Sequence, residues 1–470
     1  MTSQGRRWTT VAQLVSIVVL AALWWTPPPH ELTLQTWRLF ALFAATILSV
    51  VVAALPILTA SVFAMAAAVL TGLLAPDDAY AGFANGTILL IVVAFLVAGA
   101  VVKCGLSTRA GYWMVSRFGR STLGLSYSLF MLDAAIAPAF PSNTARSGVL
   151  YPLAYSLADA AGAKPDGTSK RRLGAFLMFS GATSLSVSSA LWLTAMAANP
   201  LGTEIARGQG VEIGFGRWLL ASVVPTLLAM ALLPVVLYWL IRPEVRSTPD
   251  APAAARKALT ALGPLSRQEW IVFAVFVVMV GLWASAATLR LDSTAIAWLG
   301  LGALLATGAI TPQDIAKQGD VLATFIWFAV LFTFSSQLNH LGFMAFLGER
   351  LASGLSGFAA PTAGLILVAG YILLHYLFAS QTAHLLALFG VFLDVGVRLG
   401  VNPAVLSFQL LFATNYFSVI TPQGSSANLL FAGSGYLSQG DLYKFGAITT
   451  IVSFLVYAVV GTPWLMLTVR

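Results

Sequence analysis

Charged side chains are scarce in this chain. Of its 470 residues only 9% are Asp, Glu, Lys or Arg, 59% are hydrophobic, and the mean hydropathy is +0.86. A soluble chain would carry roughly a quarter charged residues. A net charge of +8 can indicate a nucleic-acid partner. Here, however, the basic residues lie between apolar segments, which excludes a cytosolic enzyme, a disordered scaffold and a nucleic-acid reader.

The residues that build many active sites are also scarce. Cys104 is the single cysteine, so an internal disulfide framework and a multi-cysteine metal site are excluded. The four histidines are scattered, and neither a His-Glu-x-x-His nor a Gly-x-Ser-x-Gly motif is present. The adjacent pair Asp77-Asp78 is predicted to lie in an outside loop. These absences argue against a membrane-embedded hydrolase or transferase and against a resident cofactor.

Long apolar runs are what the chain has instead. Because a crossing helix needs about 20 apolar residues, they predict an all-α polytopic membrane protein with eleven transmembrane helices. The first helix, within residues 1–30, is predicted to be retained, since no signal-peptide cleavage site follows it. The predicted crossings are 11–26, 37–54, 57–74, 87–103, 172–199, 218–241, 269–289, 294–310, 322–338, 403–433 and 446–468. Two further apolar stretches, 122–158 and 361–397, are interrupted and are predicted to be re-entrant hairpins.

The distribution of basic residues predicts the orientation. With the N-terminus inside and both hairpins re-entrant, seventeen of the 25 Lys and Arg residues fall in inside loops and seven in outside loops. Cytoplasmic loops carry the excess of Lys and Arg in membrane proteins. We therefore expect a bacterial inner-membrane protein with a cytoplasmic N-terminus and an outside C-terminus.

Matching turns indicate an internal repeat. The segment 71–76 reappears as 307–312, displaced by 236 positions, while Gly105 and Gly342 are 237 apart and Ser142 and Ser380 are 238 apart. The predicted repeats are 31–245 and 266–470, joined by a cytoplasmic linker, 246–265. Five crossings in each repeat make the two copies inverted, so the first hairpin enters from the inside and the second from the outside. Inverted repeats with interrupted helices are typical of secondary transporters; a channel is disfavoured.

The hairpin tips and two interrupted helices are the predicted site. Prolines break the first hairpin before its tip, and backbone exposed at membrane depth is tolerated only where it lines a cavity or is covered by protein. The tips hold Ser142, Asn143 and Thr144 in the first hairpin and Ser380, Gln381 and Thr382 in the second. The interruptions hold Thr194 and Asn199 in the first half and Thr421, Pro422 and Ser425 in the second. Hydroxyls, amides and helix N-termini favour an anion.

The charged residues near this site also favour an anionic substrate. Neither tip and neither interruption contains a carboxylate, whereas a proton or metal-cation pump usually places Asp or Glu at its site. Two nearby residues, Arg146 and His384, can add positive potential. Alternatively, Arg146 reaches the inner membrane face or pairs with Asp133, and His384 is a hydrogen-bonded packing residue.

Six segments of the sequence resemble those of a known family. They are Pro141 to Arg146, Leu265 to Trp270, His375 to Ser380, Thr421-Pro422, Gly433 to Tyr436 and Gly446 to Ile448. The chain resembles the divalent anion:sodium symporter family, in detail its branch of citrate/succinate and tartrate/succinate antiporters and the 2-oxoglutarate/malate translocator. The resemblance implies an elevator-type homodimer in which Ser142, Asn143 and Thr144 contact one substrate carboxylate. Ser380, Thr382 and the interruption at Thr421-Pro422 would form the other side of the site.

Two departures from the family pattern bear on coupling and substrate. Symporters of the family carry Ser-Asn-Thr in both hairpins and bind sodium beside them, whereas Gln381 replaces the second Asn here. This replacement favours exchange without sodium, while sodium-coupled symport using a site near Ser142 and Asn143 is the alternative. Ser425 and its neighbours also differ from the Thr-Gly-Pro type sequence of the branch. Succinate, malate, 2-oxoglutarate, tartrate, citrate and sulfate all remain candidate substrates.

Overall fold

A computed structural model describes residues 3–167 and 169–469. Within these ranges the chain is helical and contains no β-strand; an isolated antiparallel bridge joins Ser121 to Ser247. This confirms the predicted all-α class. The side chains of Arg6 and Arg7 and the whole of Arg470, which entered the orientation argument, lie outside the described part of the chain.

The helices alternate between long membrane-length segments and short connectors. In chain order they are α1 (Ser3–Trp25), α2 (Leu34–Val51), α3 (Ile57–Leu70), α4 (Pro76–Tyr80), α5 (Gly86–Cys104), α6 (Leu106–Phe118), α7 (Thr122–Ile136), α8 (Asn143–Ala160), α9 (Arg171–Ser188), α10 (Ala198–Arg207), α11 (Phe215–Ile241), α12 (Ala251–Ala261), α13 (Arg267–Leu289), α14 (Ser293–Ala306), α15 (Pro312–Ala316), α16 (Gly319–His340), α17 (Phe343–Ser353), α18 (Ala360–Leu374), α19 (Gln381–Arg398), α20 (Pro403–Tyr416), α21 (Ser426–Ala432), α22 (Gln439–Val456) and α23 (Thr462–Thr468).

Nine helical segments of the described chain are long and apolar enough to cross a membrane, and α3 and α14 are shorter apolar helices. The nine include Thr122–Ala139 and Ala360–Leu377, which are the first arms of the two predicted hairpins. They do not include the predicted crossings 172–199 and 403–433, each of which is divided by an interruption. The structure thus places breaks in the two crossings for which the sequence predicted interruptions.

The interruptions are extended segments around short 3-10 turns. Between α9 and α10 lies the turn Leu193–Ala195, flanked by extended backbone at Trp192 and Met196. Between α20 and α21 lie the turns Phe417–Val419 and Pro422–Gly424, the second flanked by extended Thr421 and Ser425. Backbone carbonyls near these breaks have no helical partner and require other donors.

Local structure repeats along the chain where the sequence matches itself. Helices α3 and α14 each have 14 residues, and α4 and α15 each have 5. Gly105 (φ 82°, ψ 6°) and Gly342 (φ 80°, ψ 5°) adopt the same left-handed turn, which favours glycine because it lacks a β-carbon. The inverted orientation of the halves and the boundaries 31–245 and 266–470 stay predictions.

The segment predicted as a linker, 246–265, contains a helix. Helix α12 packs against α6, and Arg109 on α6 donates to the carbonyl of Gly263 (2.8 Å) and to the Glu269 carboxylate (2.7 Å). The sequence predicted none of α6, α12 and α17, since all three are short and flank the apolar runs. The linker is therefore attached to the first half of the chain.

Candidate functional site

The two hairpin tips have the same backbone geometry. A 15-residue helix leads into each tip, and after a 3-10 turn an 18-residue helix leaves it. Ser142 (φ −146°, ψ 122°) caps α8 and Ser380 (φ −147°, ψ 124°) caps α19, accepting from the amides of Ala145 and Ala383 at 3.2 and 3.3 Å. A serine in extended conformation is a favoured N-cap because its hydroxyl satisfies a free helical N–H.

The residues after these serines join the two tips. Asn143 Nδ2 donates to Gln381 Oε1 across 3.1 Å, although the residues are 238 positions apart. Gln381 Nε2 in turn donates to the carbonyl of Thr414 on α20 at 2.8 Å. Both side chains are buried. The longer glutamine stem therefore allows the second hairpin to contact the first tip and the second interrupted helix together.

One cavity of about 420 Å³ lies where the tips meet. One wall comes from the hairpins and both interruptions, with Met196 and Ala197 from the first, and the facing wall comes from α5 and α16. Seven sequence-predicted residues line it: Ser142, Asn143, Thr144, Ser380, Gln381, Thr382 and Ser425. The facing wall includes Phe95, Asp320, Val321, Thr324, Trp327 and Phe328. The structure thus collects both predicted tips in one site.

Arg146 lies behind the first tip and does not line this cavity. It is fully buried and forms a salt bridge to Asp133 at 2.9 Å. Of the two alternatives, Arg146 therefore pairs with Asp133 and does not reach the membrane face. Its Nη2 donates to Asn143 Oδ1 at 2.6 Å, and Ser189 donates to the same oxygen at 2.7 Å. Ser188 bridges the pair, accepting from Arg146 at 2.7 Å and donating to Asp133. Arg146 therefore orients Asn143 and does not contact an occupant of the cavity.

Two asparagines stabilise the interrupted helices in the same way. Asn199 Nδ2 donates to the carbonyls of Ser189 (2.9 Å) and Trp192 (3.2 Å), which lie ten and seven residues before it. Asn428 Nδ2 donates to Ser418 (2.7 Å) and Thr421 (3.1 Å), at the same two separations. Each amide thus joins two turns of an interruption, and the second carbonyl in each pair, that of Trp192 or Thr421, also accepts from a backbone amide, that of Ala195 or Gly424. Asn199 was predicted as a supporting residue; Asn428 was not singled out.

The remaining predicted residues of the interruptions, Thr194, Asn199, Thr421 and Pro422, do not line the cavity. Thr194 Oγ1 donates to the carbonyl of Pro138 at 2.9 Å, which joins the first interruption to the first hairpin. Pro422 begins the 3-10 turn after Thr421. The Thr421 side chain is 1% exposed, and its hydroxyl has no hydrogen-bond partner among the described residues.

His384 is a hydrogen-bonded packing residue and does not line the cavity. Its Nε2 lies 3.1 Å from the carbonyl oxygen of Tyr371, and its ring contacts those of Tyr371, Phe378 and Phe417. His375 similarly lies 2.9 Å from the Gly424 carbonyl, which ties the second hairpin to the second interruption. Both rings are fully buried.

Sequence reasoning missed the wall opposite the tips. The hairpin tips and interruptions contain no carboxylate, as the sequence indicated, but the cavity does contain one: Asp320 in the first turn of α16. Its position just before the predicted crossing 322–338 was the available signal. Nothing in the sequence linked that helix end to residues 142 and 380.

Known proteins resemble this chain over nearly its whole length. Residues 7–469 match the family described as "Sodium:sulfate symporter transmembrane region". A Bacillus subtilis (strain 168) protein named "Putative malate transporter YflS" is 38% identical over 97% of this chain and 95% of its own length. "Dicarboxylate transporter 2, chloroplastic" of Spinacia oleracea is 37% identical over 93% of this chain and 78% of its own.

A solved structure shares the fold. The YdaH transporter of Alcanivorax borkumensis superposes with a TM-score of 0.59 at 16% identity, covering 98% of this chain and 97% of that one. The family match spans nearly the whole chain, including both hairpins and both interrupted helices. The chain therefore belongs to the divalent anion:sodium symporter family and is a membrane transporter, not an enzyme.

Proposed function

We propose that this protein exchanges dicarboxylates, such as succinate, malate, 2-oxoglutarate or tartrate, across the bacterial inner membrane. The proposal rests on the observation that two N-capped tips, joined by Asn143 and Gln381, line one cavity. An anion with a carboxylate at each end matches two clusters of hydroxyls and helix N–H groups. The names of the Bacillus and spinach relatives, which specify malate and dicarboxylate, support this substrate class.

The side-chain amide oxygens of the two tips already accept hydrogen bonds, which favours exchange without sodium. A sodium ion near Ser142 and Asn143 would need oxygen ligands, yet Asn143 Oδ1 already accepts from Arg146 and Ser189. The guanidinium, 2.6 Å from that oxygen, would repel a second cation. In the second tip, Gln381 Oε1 accepts from Asn143. These side chains fit a sodium ion poorly, so the proposal uses none; sodium-coupled symport is the competing function.

Hydrogen bonds join the hairpins and the interrupted helices into one body, and this supports an elevator movement. The amide of Ala197 donates to Pro141 across 3.0 Å, and His375 contacts Gly424. We propose that this body moves past α5 and α16, which supply the facing wall, within a homodimer. Exchange follows because an empty carrier would move unsatisfied helix N-termini through the membrane, which is unfavourable.

Counterflow in proteoliposomes tests this function. The purified protein is reconstituted with internal succinate, and uptake of labelled succinate or malate is followed with and without a sodium gradient. We expect uptake that requires internal dicarboxylate and not sodium. Uptake that requires a sodium gradient and no internal substrate would establish symport instead. Counterflow of sulfate but of no dicarboxylate would make sulfate, and not a dicarboxylate, the substrate.

A further inference from the structure

The cavity contains one negative charge. Asp320 lies in the first turn of α16, is exposed to the cavity, and forms no hydrogen bond or salt bridge with the residues that the structure describes. The other cavity residues carry no charge. An unpaired carboxylate is an unexpected neighbour for an anionic substrate and therefore calls for a specific role.

The two walls of the cavity have different chemistry. The hairpin wall offers hydroxyls and backbone N–H groups, and the facing wall offers Phe95, Val321, Trp327 and Phe328 around Asp320. A substrate whose two carboxylates contact the tips turns the rest of its surface toward the facing wall. Carbon and hydroxyl groups are tolerated there, whereas a third carboxylate would approach Asp320.

Nearby cations do not neutralise this aspartate directly. Lys103 is paired with Asp314 at 2.6 Å, and neither it nor Lys317 lines the cavity. Both lysines line a neighbouring recess of about 360 Å³ that shares Phe95, Ala145 and Val321 with the cavity. The two lysines thus lie in the recess together with Asp314, while Asp320 lies in the cavity itself.

We propose that Asp320 is a specificity-determining residue that admits dicarboxylates and excludes tricarboxylates such as citrate. This inference rests on the proposed function and narrows its substrate class. Repulsion between two unit charges several ångströms apart near a protein surface lowers affinity by about tenfold or more. Because it depends on charge, the effect weakens at high ionic strength.

Paired variants test the role of charge. In Asp320→Asn the side chain keeps its shape and loses its charge, while in Asp320→Glu the charge is retained. Unlabelled citrate and malate compete against labelled succinate in proteoliposomes, and the ratio of their inhibition constants is compared. We expect the citrate-to-malate ratio to fall about tenfold in Asp320→Asn, to stay near the wild-type value in Asp320→Glu, and to depend on salt only where the charge is present.

The outcomes separate this inference from the function on which it rests. An unchanged citrate-to-malate ratio in Asp320→Asn, with succinate exchange intact in the wild-type protein, would overturn the specificity role alone. A weaker malate inhibition without a gain for citrate would also overturn it and would make Asp320 an acceptor for the substrate hydroxyl. Failure of the wild-type protein to exchange any dicarboxylate would overturn the proposed function itself.

Discussion

Asn143 donates a hydrogen bond from its amide to the side-chain oxygen of Gln381 across 3.1 Å, joining the two hairpin tips. The oxygen of the same asparagine amide accepts from Arg146 and Ser189. A single buried amide therefore connects the second hairpin to a buried ion pair in the first. Several expectations follow from this network and from the helices around it.

Replacing Asn143 tests the centre of the site. In Asn143→Ala both Arg146 and Gln381 lose a partner, and leaving buried polar groups unsatisfied costs about 1–3 kcal/mol each. We expect transport to be abolished, or substrate affinity to fall at least tenfold, in succinate exchange assays. Asn402→Ala is the matched control, because Asn402 caps α20 outside the cavity. Wild-type exchange in Asn143→Ala would show that the site lies elsewhere.

Replacing one member of the buried ion pair should be more harmful than replacing both. Arg146→Met leaves Asp133 as a buried, unpaired carboxylate, and breaking such a pair costs about 3–5 kcal/mol. We expect a large drop in the melting temperature of the detergent-solubilised protein. Adding Asp133→Leu removes the orphan charge and should restore much of the loss. Equal melting temperatures for the single and double variants would contradict this account of the pair.

The two asparagines in the interrupted helices should be equivalent. Asn199→Asp and Asn428→Asp keep the side-chain volume but replace an amide that donates to two carbonyls with an acidic group that faces the same two oxygens. We expect each variant to lose about 1–3 kcal/mol of stability, measured by thermal melting. Asn339→Asp, at an exposed position on α16, is the control and should melt like the wild-type protein. A harmless change at either 199 or 428 would argue against the shared role.

Two glycines on α22 provide a test of close packing. A β-carbon built on Gly446 would overlap the carbonyl oxygen of Val419 in the second interruption, whereas one on Gly440 would lie 3.9 Å from the Ser438 hydroxyl. Gly446→Ala should therefore displace the interruption, with a stability loss of about 1–3 kcal/mol and reduced exchange. Gly440→Ala should leave both measurements near wild type. Similar behaviour of the two variants would be inconsistent with this contact.

Much of the fold follows from local signals in the sequence. Apolar runs of membrane length predict the long helices, because lipid requires each backbone N–H and C=O to be satisfied within its own segment. The hairpin tips follow from Ser142 and Ser380, since a short hydroxyl side chain caps a helix without help from distant residues. The two divided helices follow from their proline and polar interruptions for the same local reason.

Contacts between distant segments depended on tertiary structure. The sequence left open whether Arg146 pairs with Asp133 or reaches the membrane face, and it gave no sign that Asp320 shares a cavity with the hairpin tips. It noted Gln381 as a departure, but not that the longer stem reaches Asn143. By itself the sequence determined the class, the breaks and the tip residues, since these depend on hydropathy and local backbone chemistry. Only the packing of the helices decided which residues meet, because those partners lie far apart along the chain.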